Sequence, residues 1–338
     1  MKVAIVTGVT GQDGYYLSKQ LLDKGYQVIG YSRYQSHGLT DRMKELTNSP
    51  NFKFIEGDIT DRYHISKILK QYQPDYFYNL AALSHVGNSY EIPERVTEVN
   101  YIGVLNILQE IKDKSPHTSY LQCSTSEMMG ENEEIPHNEN SKMLPTSPYA
   151  IAKFGAYALT KLYRRYGLKT YNAIAYNHEG KNRGENFVTG KIAASVARIM
   201  TNQQDVLELG NINSYRDWGE SNDFMRAYIM MMESDQPDDY IIATNETHSV
   251  REFVEQSFKL FNRTVLWENV GVDEVGKING IVRVKINPDF YRPTEVPKLC
   301  GDYSKIKQKL GWQPQIKFEQ LVKIMVEHHY KKELDKLR

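Results

Sequence analysis

The apolar, β-branched run Val3-Ala4-Ile5-Val6 stops at Thr7, and Gly8-Val9-Thr10-Gly11-Gln12-Asp13-Gly14 follows, leading into a helical pattern. This junction restricts the fold more than any other stretch of the chain. Glycines at this spacing allow a tight turn and close backbone approach, and they leave the amide groups of a helix start facing outward. Taken alone, such a stretch can equally be no more than a turn. Directly after an N-terminal strand, it predicts that Gly8, Thr10, Gly11, Gln12, Asp13 and Gly14 hold the pyrophosphate of a dinucleotide. Met1 to Val6 looks briefly like the start of a secretion signal, but the apolar run is broken at Thr7-Gly8 and Asp13 follows.

The rest of the first half repeats the strand-then-helix rhythm. Strands are expected at Val3 to Thr7, Gln27 to Tyr31, Lys53 to Glu56, Tyr76 to Leu80, Tyr120 to Cys123 and Thr170 to Ala175. Helices are expected near Gly14 to Lys24, Asp61 to Gln71, Pro93 to Lys112 and Ser147 to Arg165. That alternation predicts an α/β fold with a Rossmann-type, doubly wound parallel sheet, whose ligands bind at the carboxyl ends of the strands. After about residue 176 the rhythm becomes irregular, while Asp223 to Glu233 reads as a helix and Tyr240 to Ala243 as a strand that returns to the sheet. The expected division is therefore 1–176 plus about 213–246 as a dinucleotide-binding domain, with about 177–212 plus 247–338 as a smaller, interleaved α/β substrate-binding domain. Lys317 to Leu337 suits an amphipathic surface helix.

Composition removes several classes of function. Lys plus Arg and Asp plus Glu number 42 each, so the formal charge is zero and no basic excess exists to neutralise nucleic acid. No apolar run of membrane-spanning length occurs, and Cys123 and Cys300 are too few for a disulfide framework; the expectation is a cytoplasmic protein with no membrane or nucleic-acid partner and no metal site.

Candidate site residues follow the strands. Arg33, after the second strand, stands where many NAD-binding proteins carry an acid; it can pair with a 2'-phosphate, which favours NADP over NAD, or be a surface arginine. Asp58 and Ile59 follow the third strand, where the carboxylate can accept from an adenine amino group or cap the helix near Asp61. Leu80, Ala81, Ala82 and Ser84 are small or apolar and suit a backbone lying along a cofactor, although packing alone would choose such residues too. Tyr149 and Lys153 lie one turn apart on one helix face, where an ammonium can lower a phenol's pKa and let it exchange a proton with a sugar hydroxyl. Ser124-Thr125-Ser126-Glu127 follows the fifth strand on the same sheet edge. There Thr125 can donate to the oxygen that Tyr149 deprotonates and Glu127 can bring a carboxylate, or the two can be a strand-end cap and an exposed turn residue.

At this point the residues carry a resemblance. The chain resembles the extended short-chain dehydrogenase/reductase superfamily and, within it, the GDP-mannose 4,6-dehydratase family. The shared blocks are Thr-Gly-Val-Thr-Gly-Gln-Asp-Gly from Thr7, Ser-His-Val from Ser84, Ser-Thr-Ser-Glu from Ser124, Ser-Pro-Tyr-Ala from Ser147 and Asn-His-Glu from Asn177. They continue with Arg-Gly-Glu from Arg183, Phe-Val-Thr from Phe187, Arg-Asp-Trp-Gly from Arg216, His-Ser-Val-Arg-Glu-Phe from His248 and Arg-Pro-Thr-Glu-Val from Arg292. The resemblance implies that Tyr149 takes the proton of the sugar 4-hydroxyl as hydride passes to NADP, that Glu127 removes the carbon 5 proton, and that water leaves from carbon 6 before hydride returns there. It implies that Lys153 holds the nicotinamide ribose, that Thr125 holds the reacting hydroxyl, and that His178 and Arg183 lie by the cofactor. It also assigns the substrate to Ser84, Ser126, Glu127, Asn177, Lys191, Arg216, Arg292 and Glu295. Two arginines suit a diphosphate and a carboxylate suits the paired donors of guanine.

The chain departs from the family pattern at Tyr34, where a second arginine would follow Arg33, and at Leu83, Gly87, Asn88, Asn182 and Gly190. The changes at Leu83 to Asn88 remove length and charge beside the hexose. The expected substrate is therefore a GDP-sugar with GDP-mannose first, and GDP-manno-heptose or GDP-N-acetylglucosamine as alternatives, turned over by a homodimer or homotetramer. An epimerase would share the glycine turn and the Tyr–Lys pair but needs no acid at position 127, a simple reductase would release oxidised cofactor, and a binding module would lack the pair. Glu127 is the discriminating residue.

Overall fold

The structure, a computed structural model, describes residues 1–33, 40–291, 296 and 298–338. The first half runs β1 (Val3–Thr7), α1 (Gln12–Asp23), β2 (Gln27–Ser32), α2 (Asp41–Thr47), β3 (Phe52–Glu56), α3 (Arg62–Tyr72), β4 (Tyr76–Asn79), α4 (Pro93–Thr97), α5 (Gly103–Lys114), β5 (Ser119–Thr125), α6 (Pro148–Arg165) and β6 (Thr170–Ala175). The one helix expected over Pro93 to Lys112 is α4 and α5 joined through a π turn at Glu98–Ile102. The second half runs β7 (Asn177–Glu179), α7 (Val188–Met200), β8 (Leu207–Leu209), β9 (Tyr215–Arg216), β10 (Trp218–Glu220), α8 (Ser221–Glu233), β11 (Asp239–Ile242), β12 (His248–Ser249) and α9 (Val250–Lys259). It closes with β13 (Leu266–Glu268), β14 (Val275–Ile278), β15 (Ile281–Ile286), α10 (Ser304–Leu310) and α11 (Phe318–Lys336).

The chain divides into two compact units, each made of three segments: 1–176, 221–242 and 301–313 form the first, and 177–220, 243–300 and 314–338 the second. This differs from the expected division at 213–220, 243–246 and 301–313. The last of these is α10 with its flanks, which the sequence places beside the substrate domain; in the structure Lys305 Nζ donates to the Asp239 carbonyl of edge strand β11, 2.8 Å away, and ties α10 to the first unit.

In the first unit seven strands pair in the order β11-β6-β5-β4-β1-β2-β3, every pair parallel. Both faces are covered, which is why these strands read as continuous apolar runs. Ala4 and Val6 of β1 point into one core with Leu17, Leu21, Phe224 and Tyr228 of α1 and α8. Ile5 points into the other, with Ile65, Ile68, Ile107 and Ile111 of α3 and α5. Each Val, Leu, Ile or Phe among them contributes about 1.5 to 3 kcal/mol by leaving water, so a slip of one residue in register would reverse both faces at once. The strand order reverses between β1 and β4, and a parallel sheet opens a crevice beyond the carboxyl ends of its strands at such a point.

In the second unit α7, α9 and α11 pack with a four-stranded sheet ordered β13-β14-β15-β8, around Ile192, Val196, Phe253, Val284, Phe318 and Met325. Among the described residues no helix is long and apolar enough to cross a membrane.

Candidate active site

The glycine turn lies at the strand-order reversal. Gly8 has φ +67, and a Cβ there would stand 2.9 Å from both the Leu80 carbonyl carbon and the Ala81 nitrogen, so the loops after β1 and β4 touch where only glycine fits. Thr10 Oγ1 meets Ser32 Oγ at 3.1 Å. Gly11, exposed, precedes α1, and no side chain caps the helix start. Gly14 is buried in the first turn, Gln12 is buried, and Asp13 Oδ1 accepts from Ser221 Oγ (2.6 Å) and Gln12 Nε2 (3.1 Å), which fixes the turn against α8. A bare, uncapped helix start beside a glycine-lined approach fits the pyrophosphate of a dinucleotide.

Arg33 is exposed at the end of β2. Asp58 does not cap α3; Asp61 does, accepting from the His64 amide at 3.0 Å. Instead Asp58 Oδ1 accepts from the Thr60 amide (3.0 Å) and hydroxyl (2.9 Å), and Oδ2 from Arg95 Nη2 (2.9 Å). Burial alone would raise this carboxyl; the Thr60 hydrogen bonds and the Arg95 and Arg33 charges outweigh it and hold it below the usual range. Oδ2 keeps a second lone pair that can take an amino group. Ile59 is buried. Leu80, Ala81 and Ala82 are half-buried and Ser84 is exposed, while the Leu83 peptide is clamped at both ends by Asn100, whose Oδ1 accepts from the Leu83 amide (2.8 Å) and whose Nδ2 donates to its carbonyl (3.0 Å). The Leu83 side chain packs on the apolar cluster of Val96, Tyr149 and Ala152.

The Tyr–Lys pair sits in the first two turns of α6, started by Pro148 and by Ser147, whose hydroxyl accepts from the Ala150 amide at 3.1 Å. Tyr149 and Lys153 are both buried, 7% and 3% exposed. Lys153 Nζ donates to the Cys123 carbonyl of β5, which joins α6 to the strand that carries Thr125. Burial pushes the Lys153 ammonium down, opposed by the Cys123 side chain, so its cation acts in a low-dielectric setting. Thr125 caps the 3-10 turn Ser126–Met128, accepting from the Glu127 amide at 3.2 Å. The capping role that the sequence left open is therefore present, and the hydroxyl proton stays available to donate. Ser126 is buried and Glu127 half-buried.

In the second unit, Asn177 Oδ1 is buried without a hydrogen-bond partner among the described residues, an arrangement that leaves an acceptor for a ligand. His178 lies on β7 opposite Gly219. Arg183 is committed within its unit: its Nε lies 2.9 Å from Glu179 Oε2, as an ion pair without hydrogen-bond alignment, and its guanidinium stands 3.6 Å over the Phe187 ring. The Lys191 ammonium stands 3.6 Å over Phe290, and burial lowers its pKa against the pull of Glu208. Arg216 is buried on β9, donating Nη1 to the Tyr215 carbonyl at 2.8 Å. Gly190 is dictated by packing, since a Cβ there would stand 2.9 Å from the Arg183 carbonyl oxygen. Tyr34, Arg292 and Glu295 lie outside the described residues.

Three contributors escaped the sequence reading. The Cys123 carbonyl is main chain and has no residue signature. Tyr228 meets Cys123 Sγ through its hydroxyl at 3.2 Å from α8, a contact between residues distant in sequence. Asp217, fully buried, accepts from the Thr244 amide and hydroxyl (2.8 and 2.7 Å) and the Asn245 amide (3.0 Å); an acid between Arg216 and Trp218 was the available hint.

A doubly wound sheet that brings a glycine turn and a Tyr-x-x-x-Lys pair to one edge defines an extended short-chain dehydrogenase/reductase. The family model for GDP-mannose 4,6 dehydratase matches residues 5–325. A GDP-mannose 4,6 dehydratase of Drosophila melanogaster is 46% identical, covering 96% of this chain and 85% of that protein; one of Homo sapiens is 43% identical, covering 96% and 90%. Among solved structures, a UDP-glucose 4-epimerase of Thermotoga maritima with UDP-glucose superposes with a TM-score of 0.80 at 26% identity, covering 98% of this chain and 99% of that one. The chain belongs to the GDP-mannose 4,6-dehydratase family.

Proposed function

We propose that the chain is a hydro-lyase that converts GDP-mannose to GDP-4-keto-6-deoxymannose and water, in the cytoplasm, with a nicotinamide dinucleotide that is unchanged at the end of each turnover. The observation that carries this reading is Glu127, set by Thr125 on the turn directly after β5, in a chain whose β5 backbone also holds Lys153. An epimerase has no use for that acid, and relatives of animal and bacterial origin bear the dehydratase name. What the nicotinamide supplies when bound is a reversible hydride, away from carbon 4 and back to carbon 6. The chain's own work is proton management. Tyr149, beside the Lys153 cation, takes the proton of the 4-hydroxyl, and the Thr125 hydroxyl donates to the same oxygen. The ketone so formed acidifies carbon 5; Glu127 removes that proton and delivers it to the 6-hydroxyl, which leaves as water. The proton taken by Tyr149 balances the one that returns to carbon 5.

The glycine turn, Asp58 and the Leu80 to Ser84 backbone would hold the dinucleotide, with Arg33 selecting NADP through its 2'-phosphate. Asn177, Lys191 and Arg216, with Arg292 and Glu295, would hold the GDP-sugar. Incubation with GDP-mannose should give a product lighter by one water, with no accumulation of oxidised or reduced cofactor by absorbance. A product of unchanged mass, or NADPH consumed mole for mole, would overturn the reading. Titration with NADP and NAD decides the cofactor, and light scattering decides between dimer and tetramer.

A further inference from the structure

A single hydrogen-bond chain runs through the interior of the first unit across three adjacent strands and ends at Lys153. It begins at Thr7, fully buried at the end of β1. The Thr7 hydroxyl accepts from the amides of Leu80 and Ala81, each at 3.1 Å, which leaves its one proton for Asn79 Oδ1, 2.6 Å away on β4. That fixes the orientation of the Asn79 amide. Its Nδ2 therefore faces Gln122 Oε1 on β5 at 2.9 Å, and the same oxygen accepts from Tyr120 at 2.5 Å. The Gln122 amide is fixed in turn, and its Nε2 donates to the Cys123 carbonyl oxygen at 3.0 Å. This carbonyl is the one that receives the Lys153 ammonium. The strand register lines up Thr7, Asn79 and Gln122 as direct neighbours, and Asn79 and Gln122 are 0% and 1% exposed.

A buried amide ladder of this kind can serve strand cohesion alone, but apolar side chains at the same places would serve that end without the desolvation cost. Here every donor and acceptor choice is forced in one direction, from the backbone beside Gly8 to the carbonyl under the buried cation. We propose that Gln122 is a positioning residue for Lys153: held by Asn79 and Thr7 behind it, its amide N–H fixes the Cys123 carbonyl on which the ammonium rests, and so places the cation one helical turn from Tyr149. The inference rests on the reading of Tyr149 and Lys153 as the proton-handling pair.

The test compares three variants, each loaded with NADP, in turnover of GDP-mannose across pH. Gln122→Glu keeps the acceptor used by Asn79 and Tyr120 and removes the amide donor; Gln122→Met removes both donor and acceptor without adding charge; Lys153→Met removes the cation itself. With melting temperature recorded as the check on folding, both Gln122 variants should lose about tenfold in kcat while KM stays within about twofold, because a misplaced cation affects the proton step more than binding. The acidic limb of the kcat profile should move upward by about half a pH unit or more in both, since a phenol further from an ammonium ionises less readily. A shift in Gln122→Glu alone would be the effect of added charge and would overturn the positioning role. So would a folded Gln122→Met with the parent kcat and profile while Lys153→Met is inactive. Near-normal turnover by Lys153→Met would instead remove the catalytic reading on which the inference stands.

Discussion

The strand network behind Lys153 and the buried acids of the second unit hold polar groups in different ways. In the first, Thr7, Asn79 and Gln122 are uncharged, buried and bonded one to the next, and they stand on neighbouring strands whose register already aligns them. In the second, buried acids are held by charge or by main-chain amides: Glu179 beside Arg183, Glu274 by Arg251, and Asp217 on the amides of Thr244 and Asn245. The difference teaches that a neutral network specifies geometry with little dependence on pH, whereas an ionic one suits a surface that must receive a charged ligand but ties stability to protonation. The proposed division of labour follows: chemistry on the neutral scaffold, substrate charge on the ionic one.

The largest expected effect falls in the first unit. Glu127→Gln should fold normally and lose about 10³-fold in dehydrated product, within the range for removing a general base, while still passing hydride to bound cofactor in a single turnover. Near-normal product formation would break the comparison, because the chemistry would then not belong to this edge.

Next comes acid stability, where the second unit should be the weaker. His329 on α11 is buried with Nε2 lacking a partner among the described residues, and its pKa is lowered to about 4 by burial and by His328, Lys332 and Arg198, against Glu185. The unfolded chain takes up this proton near pH 6.5 and the folded chain does not. The stabilisation is therefore complete above pH 6.5 and is lost as pH falls from there to about 4, by about 3 kcal/mol in denaturant titrations. His329→Leu should lose that slope; an unchanged slope would place the acid sensitivity elsewhere.

A smaller effect should come from Asp217→Asn, which sets an amide donor against at least one of the donors it now receives. Rearrangement beside Arg216 should raise KM for GDP-mannose by about fivefold with kcat nearly constant, a cost of about 1 kcal/mol. A fall in kcat at constant KM would erase the division of labour. At the floor, the exposed pair Lys169–Asp235 should contribute under about 0.5 kcal/mol, so Lys169→Ala should barely move the melting temperature.

How much of this was visible in the sequence follows the same division. β1, β6 and the Tyr149–Lys153 helix stand within a residue of their expected bounds, because strands buried on both faces and a Pro-started, Ser-capped helix leave local marks. The helix α7 was missed although Lys191, Ser195 and Arg198 recur at helical spacing: no side chain caps its start and it follows the Asn- and Gly-rich stretch after Asn177, so nothing local marks where it begins. The sheet of the second unit was missed because β8 pairs with β15, about 75 residues later, and strands of three to six residues carry little alternation. At the candidate site, the local signal lies in the residue types after β1 and β5. The rival claim on Thr125 and the true cap of α3 at Asp61 became plain only once side-chain partners were placed.

The interleaving of the two units has a consequence for synthesis. A ribosome that has released residues 1–176 has delivered six of the seven strands, but β6 then ends the sheet with its hydrogen-bonding edge open, and the apolar face of α1 lacks Phe224 and Tyr228 of α8. Neither is covered until residues 221–242 emerge, and α10 pins β11 only after residue 313. For the interval in which the intervening segment is made, the nascent chain exposes a sticky parallel edge, so slow codons or premature release between 177 and 313 should yield aggregates, not a stable cofactor-binding fragment.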